Sequence, residues 1–226
     1  MTAPIAHAQE LSLRTDWRIQ SSSLAGADGA RISSPAYEPA GWYPATVPST
    51  VVGALVNDGV YEQLFSGVEE HASAGAAPAR EAATADEVFF GMNLRRLPGM
   101  TYEDGSIFDH FETDPASPFA VPWWYRTVFR LPAEFRGRRV ALHLDGINYR
   151  ANIWLNGRRI ADSTEIAGAF RRYELDITDL VAKNAENVLA VEIFAPTPMD
   201  LAPTWLNWNP EPPDKMMGLW HRVWLS

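Results

Sequence analysis

Hydrophobic and polar positions alternate most regularly between Leu142 and Ile160. Ala151, Ile153 and Leu155 alternate with Asn152, Trp154 and Asn156, the period of two that puts one set on each face of a β-strand. Asn156-Gly157 supplies two residues that tolerate positive φ, as a type I′ turn requires, and Arg158-Arg159-Ile160 runs back beside the incoming strand. Upstream, Val140, Leu142 and Leu144 alternate with Ala141, His143 and Asp145 until Gly146 ends the run. Three strands within about twenty residues predict a β-sandwich.

The same reading places other strands. Trp123 to Leu131 alternates Trp124, Arg126, Val128 and Arg130 against Trp123, Tyr125, Thr127, Phe129 and Leu131. Phe170 to Ile177 is a further strand. In Val188 to Phe194 both alternating sets are largely apolar, which marks a central strand. Gly218 to Leu225 closes the chain as a strand. Between Leu11 and Val47 the pattern supports one edge strand around Trp17-Arg18-Ile19 and otherwise irregular chain broken by Pro35, Pro39, Gly41 and Pro44. Ser49 or Thr50 caps a short helix that starts at Val51 and ends near Gly59. The Ala-rich, acidic stretch 68–87 has little to bury and reads as a mobile insertion. A long loop follows Val88-Phe89-Phe90-Gly91. Residues 1–41 are thus an N-terminal segment with an edge strand, and 42–226 the sandwich, one domain overall.

Composition narrows the function. A formal charge of −9 over 226 residues argues against nucleic acid, which needs clustered Lys and Arg; the pairs Arg95-Arg96 and Arg138-Arg139 are too small. The absence of cysteine rules out disulfides and thiolate metal sites. No apolar run is long enough for a spanning helix, so no membrane partner is expected. Ala6-His7-Ala8 has the small-x-small form of a signal-peptidase site, as in a secreted or periplasmic protein, yet Met1 to Ile5 carries neither a basic start nor an apolar core. A trimmed or misplaced start and a frayed terminus are the two readings.

No nucleophile elbow, P-loop or dinucleotide fingerprint occurs, and the five histidines are scattered; neither cofactor nor metal is expected. Carboxylate pairs occur at Glu69-Glu70, Glu103-Asp104 and Asp109 with Glu112. Two carboxylates flanking one bond are what glycoside hydrolysis needs, but these lie in the insertion or the loop after it and read as solvated surface charge. A Ca²⁺ site on Asp104 and Asp109 is a weaker alternative. Nine tryptophans, most of them between Trp123 and Trp224, suit either stacking on sugar rings or filling a core or domain interface; Trp123 and Trp154 are the candidates for an aromatic surface.

An ordered series of motifs resembles the N-terminal sugar-binding domain of glycoside hydrolase family 2, which includes β-galactosidases, β-glucuronidases, β-mannosidases and exo-β-glucosaminidases. The series is Arg126-Thr127-Val128-Phe129-Arg130-Leu131-Pro132, Leu144-Asp145-Gly146-Ile147, Ala151-Asn152-Ile153-Trp154-Leu155-Asn156-Gly157, Asp176-Ile177-Thr178-Asp179-Leu180 and Gly218-Leu219-Trp220-His221-Arg222-Val223. It covers roughly residues 42–225. Val47-Pro48-Ser49-Thr50-Val51, Phe90-Gly91-Met92-Asn93 and Pro122-Trp123-Trp124-Tyr125-Arg126 look most similar to the exo-β-glucosaminidase and mannosidase branch. The 68–87 stretch, which interrupts the path from Phe65 to Phe90, and His221 depart from the family pattern.

The resemblance implies an all-β, galactose-binding-like jelly-roll sandwich with a short helix and long loops. It also implies that the catalytic carboxylates sit in a (β/α)8 barrel, after an immunoglobulin-like domain, beyond Ser226. The chain would then hold no catalytic residue, and its partners would be a terminal β-linked sugar and those two domains. In the family, the loop before the closing strand contacts that sugar. The mannosidase pattern there is Asp-Trp-Gly-Pro; here it is Asn207-Trp208-Asn209-Pro210. Asn207, Trp208, Asn209 and Trp205 are therefore the candidate substrate contacts, unless they only pack the loop. Three readings follow: a non-catalytic domain that shapes the active-site entrance of an exo-acting glycosidase, an independent lectin-like module, or a purely structural docking domain.

Overall fold

The computed structural model describes residues 9–61, 100–101, 112–113, 117–205 and 212–226, with backbone alone at 100–101 and 112–113. Strands and helices are numbered in chain order. The hairpin forms where the alternation places it: β9 (Arg150–Leu155) and β10 (Arg158–Ala161) pair antiparallel, Leu155 opposite Arg158. Asn156 and Gly157 adopt φ of 52° and 83°, the left-handed pair that the tight turn needs. Asn156 also ties the hairpin to its neighbour, donating from Nδ2 to Leu180 O and Asn187 Oδ1 while its Oδ1 accepts from Val188 N.

Two sheets make the sandwich. The larger has six strands in the order β10-β9-β12-β7-β2-β3, with β12 (Glu186–Phe194), β7 (Trp123–Arg130), β2 (Trp17–Ser21) and β3 (Tyr43–Ala45). The smaller has four, β1 (Leu11–Ser12), β14 (Val223–Leu225), β8 (Ala141–Leu144) and β11 (Tyr173–Asp176). β13 (Gly218–Leu219) pairs with β4 (Ser49–Thr50), and β5 (Met100–Thr101) with β6 (Glu112–Thr113). This is the expected all-β sandwich. Its core holds Ile153, Leu155, Leu189, Val191 and Ile193 from one sheet against Leu142, Leu144, Val223 and Leu225 from the other.

Several boundaries differ from the sequence reading. The strand at Trp17 is not an edge: β2 lies between β7 and β3, with Trp17 and Ile19 buried in the core. The strand expected from Phe170 to Ile177 shrinks to β11, because Phe170 is exposed and Gly168, at φ 128°, turns the chain there. The closing strand divides into β13 and β14, which join different sheets. The short helix stands as expected: α3 spans Val51–Asn57, and Thr50 Oγ1 accepts from Gly53 N at its start. The expected insertion at 68–87 and the stretch 88–91 after it lie outside the described residues.

Residues 22–42, expected as irregular chain, hold two single-turn helices, α1 (Ser22–Ala25) and α2 (Gly29–Ile32). Asp28 caps α2, its Oδ1 accepting from Arg31 N, and Gly26 ends α1 in a left-handed conformation. Together they cover the outer face of the six-stranded sheet, where Ala25, Ile32 and Trp42 pack on Trp124 and Ala190. Arg126 is buried under this cover, and its guanidinium donates to the carbonyls of Ile32, Ser34 and Tyr37 at 2.9, 3.3 and 3.2 Å. A side chain with five donors and three carbonyls in reach satisfies groups that would otherwise be unpaired.

Two expectations test this packing. Ile153 is fully buried, so Ile153→Ala should lower the unfolding free energy in urea by about 2–5 kcal/mol. At Gly29 an added Cβ would lie 2.2 Å from Trp154 Cε2. Gly29→Ala should therefore displace the indole and destabilise by about 1–3 kcal/mol through overpacking, and an unchanged denaturation midpoint would place Trp154 elsewhere.

Candidate functional site

The loop that leaves β12 at Ala195 and returns to β13 carries the candidate substrate contacts. Trp205 is half-buried. Asn207, Trp208 and Asn209 lie outside the described residues. What the structure shows is how each end of this loop is fastened.

At the near end, Arg150 of β9 grips Asp200 with both guanidinium nitrogens, Nη1 at 2.6 Å from Oδ2 and Nη2 on Oδ1. Thr197 adds its backbone N–H at 2.7 Å and its hydroxyl at 2.8 Å to Asp200 Oδ2. Bidentate pairing fixes direction as well as distance. The hydrogen bonds from Arg150 outweigh burial and hold the Asp200 carboxyl down at about 2. Arg150 in turn lies over the Tyr149 ring, 4.9 Å from its centroid.

At the far end a second carboxylate does comparable work in the interior. Asp214 is 1% exposed; its Oδ2 accepts from Val52 N at 2.8 Å and its Oδ1 from Met216 N at 3.0 Å, with a further hydrogen bond from the Thr50 side chain. Burial pushes this carboxyl up to about 6, although all three hydrogen bonds favour its charged form. Asn148 closes the other side, donating from Nδ2 to the carbonyls of Lys215 and Met216 at 2.9 and 3.0 Å. Lys215 and Met216 take left-handed φ of 50° and 57°, a turn that non-glycine residues adopt only when held. Between the two stems lies a recess of about 270 Å³ lined by Phe119, Val121, Pro122, Phe194, Pro196 and Lys215.

The expected aromatic surface is not present at Trp123. Its ring is 2% exposed, lies 6.1 Å from Phe119 in a stacked pair, and its Nε1 donates to Pro118 O. The inward set of β7 is the one that contains it. Trp154 is half-buried on the outer face, its centroid 5.2 Å from that of Trp124. Trp224 is engaged by two neighbours: His143 stacks on it at 3.9 Å and 10°, and the Arg222 guanidinium lies 4.5 Å from the ring centroid. These indoles are used in packing.

The carboxylate pairs at 69–70, 103–104 and 109 with 112, and the Ca²⁺ reading on Asp104 and Asp109, fall on residues whose side chains are outside the described set. Among the described residues no group of three or more metal-ligating side chains converges. Sequence reasoning missed Arg150, Asp200, Asp214 and Asn148. A signal was available for the two aspartates, since each is an acid in a proline-rich loop with many apolar residues, where a buried charge needs partners.

Residues 112–203 match the glycosyl hydrolase 2 galactose-binding domain-like family. The chain is 32% identical over 206 residues to an exo-β-D-glucosaminidase of Streptomyces avermitilis, covering 91% of this chain and 18% of that protein. It is 30% identical over 212 residues to an exo-β-D-glucosaminidase of Hypocrea jecorina, covering 92% and 19%. Among solved structures, the exo-chitosanase CsxA of Amycolatopsis orientalis superposes with a TM-score of 0.71 at 27% identity, over 97% of this chain and 20% of that one. The chain thus spans about a fifth of the length of the proteins it matches. Motif series, sandwich topology and relatives converge on one family: the chain carries the galactose-binding-like N-terminal domain of glycosyl hydrolase family 2.

Proposed function

We propose that this chain is the non-catalytic sugar-binding domain of an exo-acting glycosidase, and that it shapes the active-site entrance through the loop between β12 and β13. The observation that carries the reading is the double fastening of that loop, by Arg150 on Asp200 and by the first turn of α3 on Asp214. A loop held at both stems, with prolines at 203, 210, 212 and 213, loses little entropy when substrate arrives. Asn207 supplies a donor and an acceptor for sugar hydroxyls, Trp205 and Trp208 an apolar wall, and Asn209 a second amide. General acid and nucleophile come from the barrel domain of the same enzyme.

The relatives named for glucosaminidase activity suggest a terminal β-linked amino sugar as substrate. The formal charge of −9 fits that class, because an acidic surface attracts a polymer of protonated amines. The partners in the enzyme are its immunoglobulin-like and (β/α)8 barrel domains. Phe170, Met199 and Leu201, exposed at 71%, 92% and 87%, give those domains apolar surface to cover. An independent lectin-like module is less well supported, since Trp123 is buried and Trp224 is already stacked with His143 and engaged by Arg222.

If the loop meets the sugar, Asn207→Ala in the parent enzyme removes a hydrogen bond to a desolvated hydroxyl. It should lower kcat/KM by an equivalent of about 1–3 kcal/mol while the melting temperature stays nearly constant; unchanged kinetics would reduce the loop to a structural strap. The near stem gives a second expectation. Asp200 has an ordinary value of 3.8 and a folded value of about 2, so its pairing adds stability that is fully present above about pH 4 and is lost as pH falls through about 2. Because Thr197 keeps part of the stabilisation, Arg150→Met should then cost about 1 kcal/mol at pH 7 and progressively less toward pH 2, as read by urea denaturation at each pH. A penalty that does not change with pH would mean the pair contributes through packing alone.

A further inference from the structure

The turn Pro212–Met217 fastens the far stem of the loop around a buried acid. Its acid is buried at 1% exposure and takes donors from two separate elements, the first turn of α3 and its own turn. The backbone of the turn is pinned on three further sides: Val51 N donates to Met217 O at 2.8 Å, Asn148 Nδ2 to the carbonyls of Lys215 and Met216, and Gly218 N to Asn148 O at 3.0 Å. Only glycine fits the next position, because a Cβ on Gly218 would lie 2.6 Å from Ser49 O and 2.8 Å from the Tyr125 hydroxyl. All of these contacts converge where the loop re-enters the sheet. A change of charge on Asp214 alters the acceptor that Val52 N, Met216 N and the Thr50 hydroxyl share.

We propose that Asp214 is a positioning residue whose ionisation state sets how the β12–β13 loop is held. As the carboxylate it engages three donors at once and clamps the turn to α3. As the neutral acid one oxygen carries a proton, so one of the three bonds weakens and the stem relaxes. Few other charges can mimic this response. Tyr125 faces the acid from β7, and burial pushes its phenol up out of any ordinary range, so it stays neutral. α3 has no acidic residue in its first turn.

The sign of the effect follows from the raised value. The folded state holds the Asp214 proton more tightly than the unfolded chain does, with about 6 against 3.8. Its contribution to stability is therefore fully present below about pH 4 and is lost as pH rises through about 6. Clamping the stem at neutral pH is thus bought with global stability, which is the pattern of a buried charge kept for local geometry.

The inference rests on reading the loop as a sugar contact, but its test does not. In ¹⁵N-labelled chain, the amides of Val52 and Met216 and the indole N–H of Trp205 are followed from pH 4 to 8. The proposal expects the two amides to shift together with a midpoint near 6 and the Trp205 indole to follow with the same midpoint; His143 and His221 are tracked through their own ring signals. Amides that stay flat would overturn the proposal, and so would amides that titrate while Trp205 does not. In Asp214→Asn the shared transition should vanish, and its persistence would assign it to another group. The wild-type titration stands alone if that variant does not fold. Unchanged kinetics in Asn207→Ala would remove the sugar contact and leave these signals in place, so the two failures are distinguishable.

Discussion

β12 is buried on both faces, and the rest of the molecule answers to that constraint. Leu189, Val191 and Ile193 are 0% exposed on one side, Val188 and Ala190 0% on the other, and β7 and β9 take up its two edges. A strand with no solvent face demands a layer above and a layer below. The four-stranded sheet is one layer. The other is the segment 22–42 with its two single-turn helices, Trp42 and Tyr37, sealed by Arg126 on three carbonyls. The sandwich is therefore two sheets and a partial third layer. Because β12 lies inside its sheet, the loop that leaves its end starts from a strand hydrogen-bonded along both edges.

That origin matters for function. Binding sites on loops depend on how well the scaffold fixes the loop stems. Here the near stem is tied through Arg150 of the neighbouring strand β9, and the far stem through α3 and Asn148, which sits just before β9. Strand, hairpin and helix all reach the same loop. The carboxylates at the two stems differ in kind: Asp200 is stabilised as an anion by a guanidinium, whereas Asp214 is held by uncharged donors in a site whose burial opposes its charge. One stem is insensitive to pH across the neutral range and the other is not.

Much of this was legible in the sequence because period-two alternation and turn chemistry are local. Ile153 and Leu155 pointed inward, Asn156-Gly157 turned, and Thr50 capped α3. The helices at Ser22 and Gly29 were not legible, since four residues are too few for a 3.6-residue period to register and their stability comes from packing on Trp124 and Trp154. Trp123 was misplaced for a related reason: alternation gives two faces but does not say which is solvated when a third layer covers the outer one. The burial of Arg126 was not legible either, since it depends on carbonyls some 90 residues away in sequence, 94 in the case of Ile32. The Asp214 contact to Val52 spans 162 residues, beyond the reach of any local pattern.

The central claim is that a sandwich domain holds a fastened loop against the terminal sugar of an exo-acting enzyme. A structure of the parent enzyme with a terminal β-linked amino sugar bound tests it most directly. The account predicts residues Trp205 to Asn209 against the non-reducing sugar, with at least one amide within about 3 Å of a hydroxyl. A sugar enclosed entirely by other domains, with this loop turned away from it, would contradict the account.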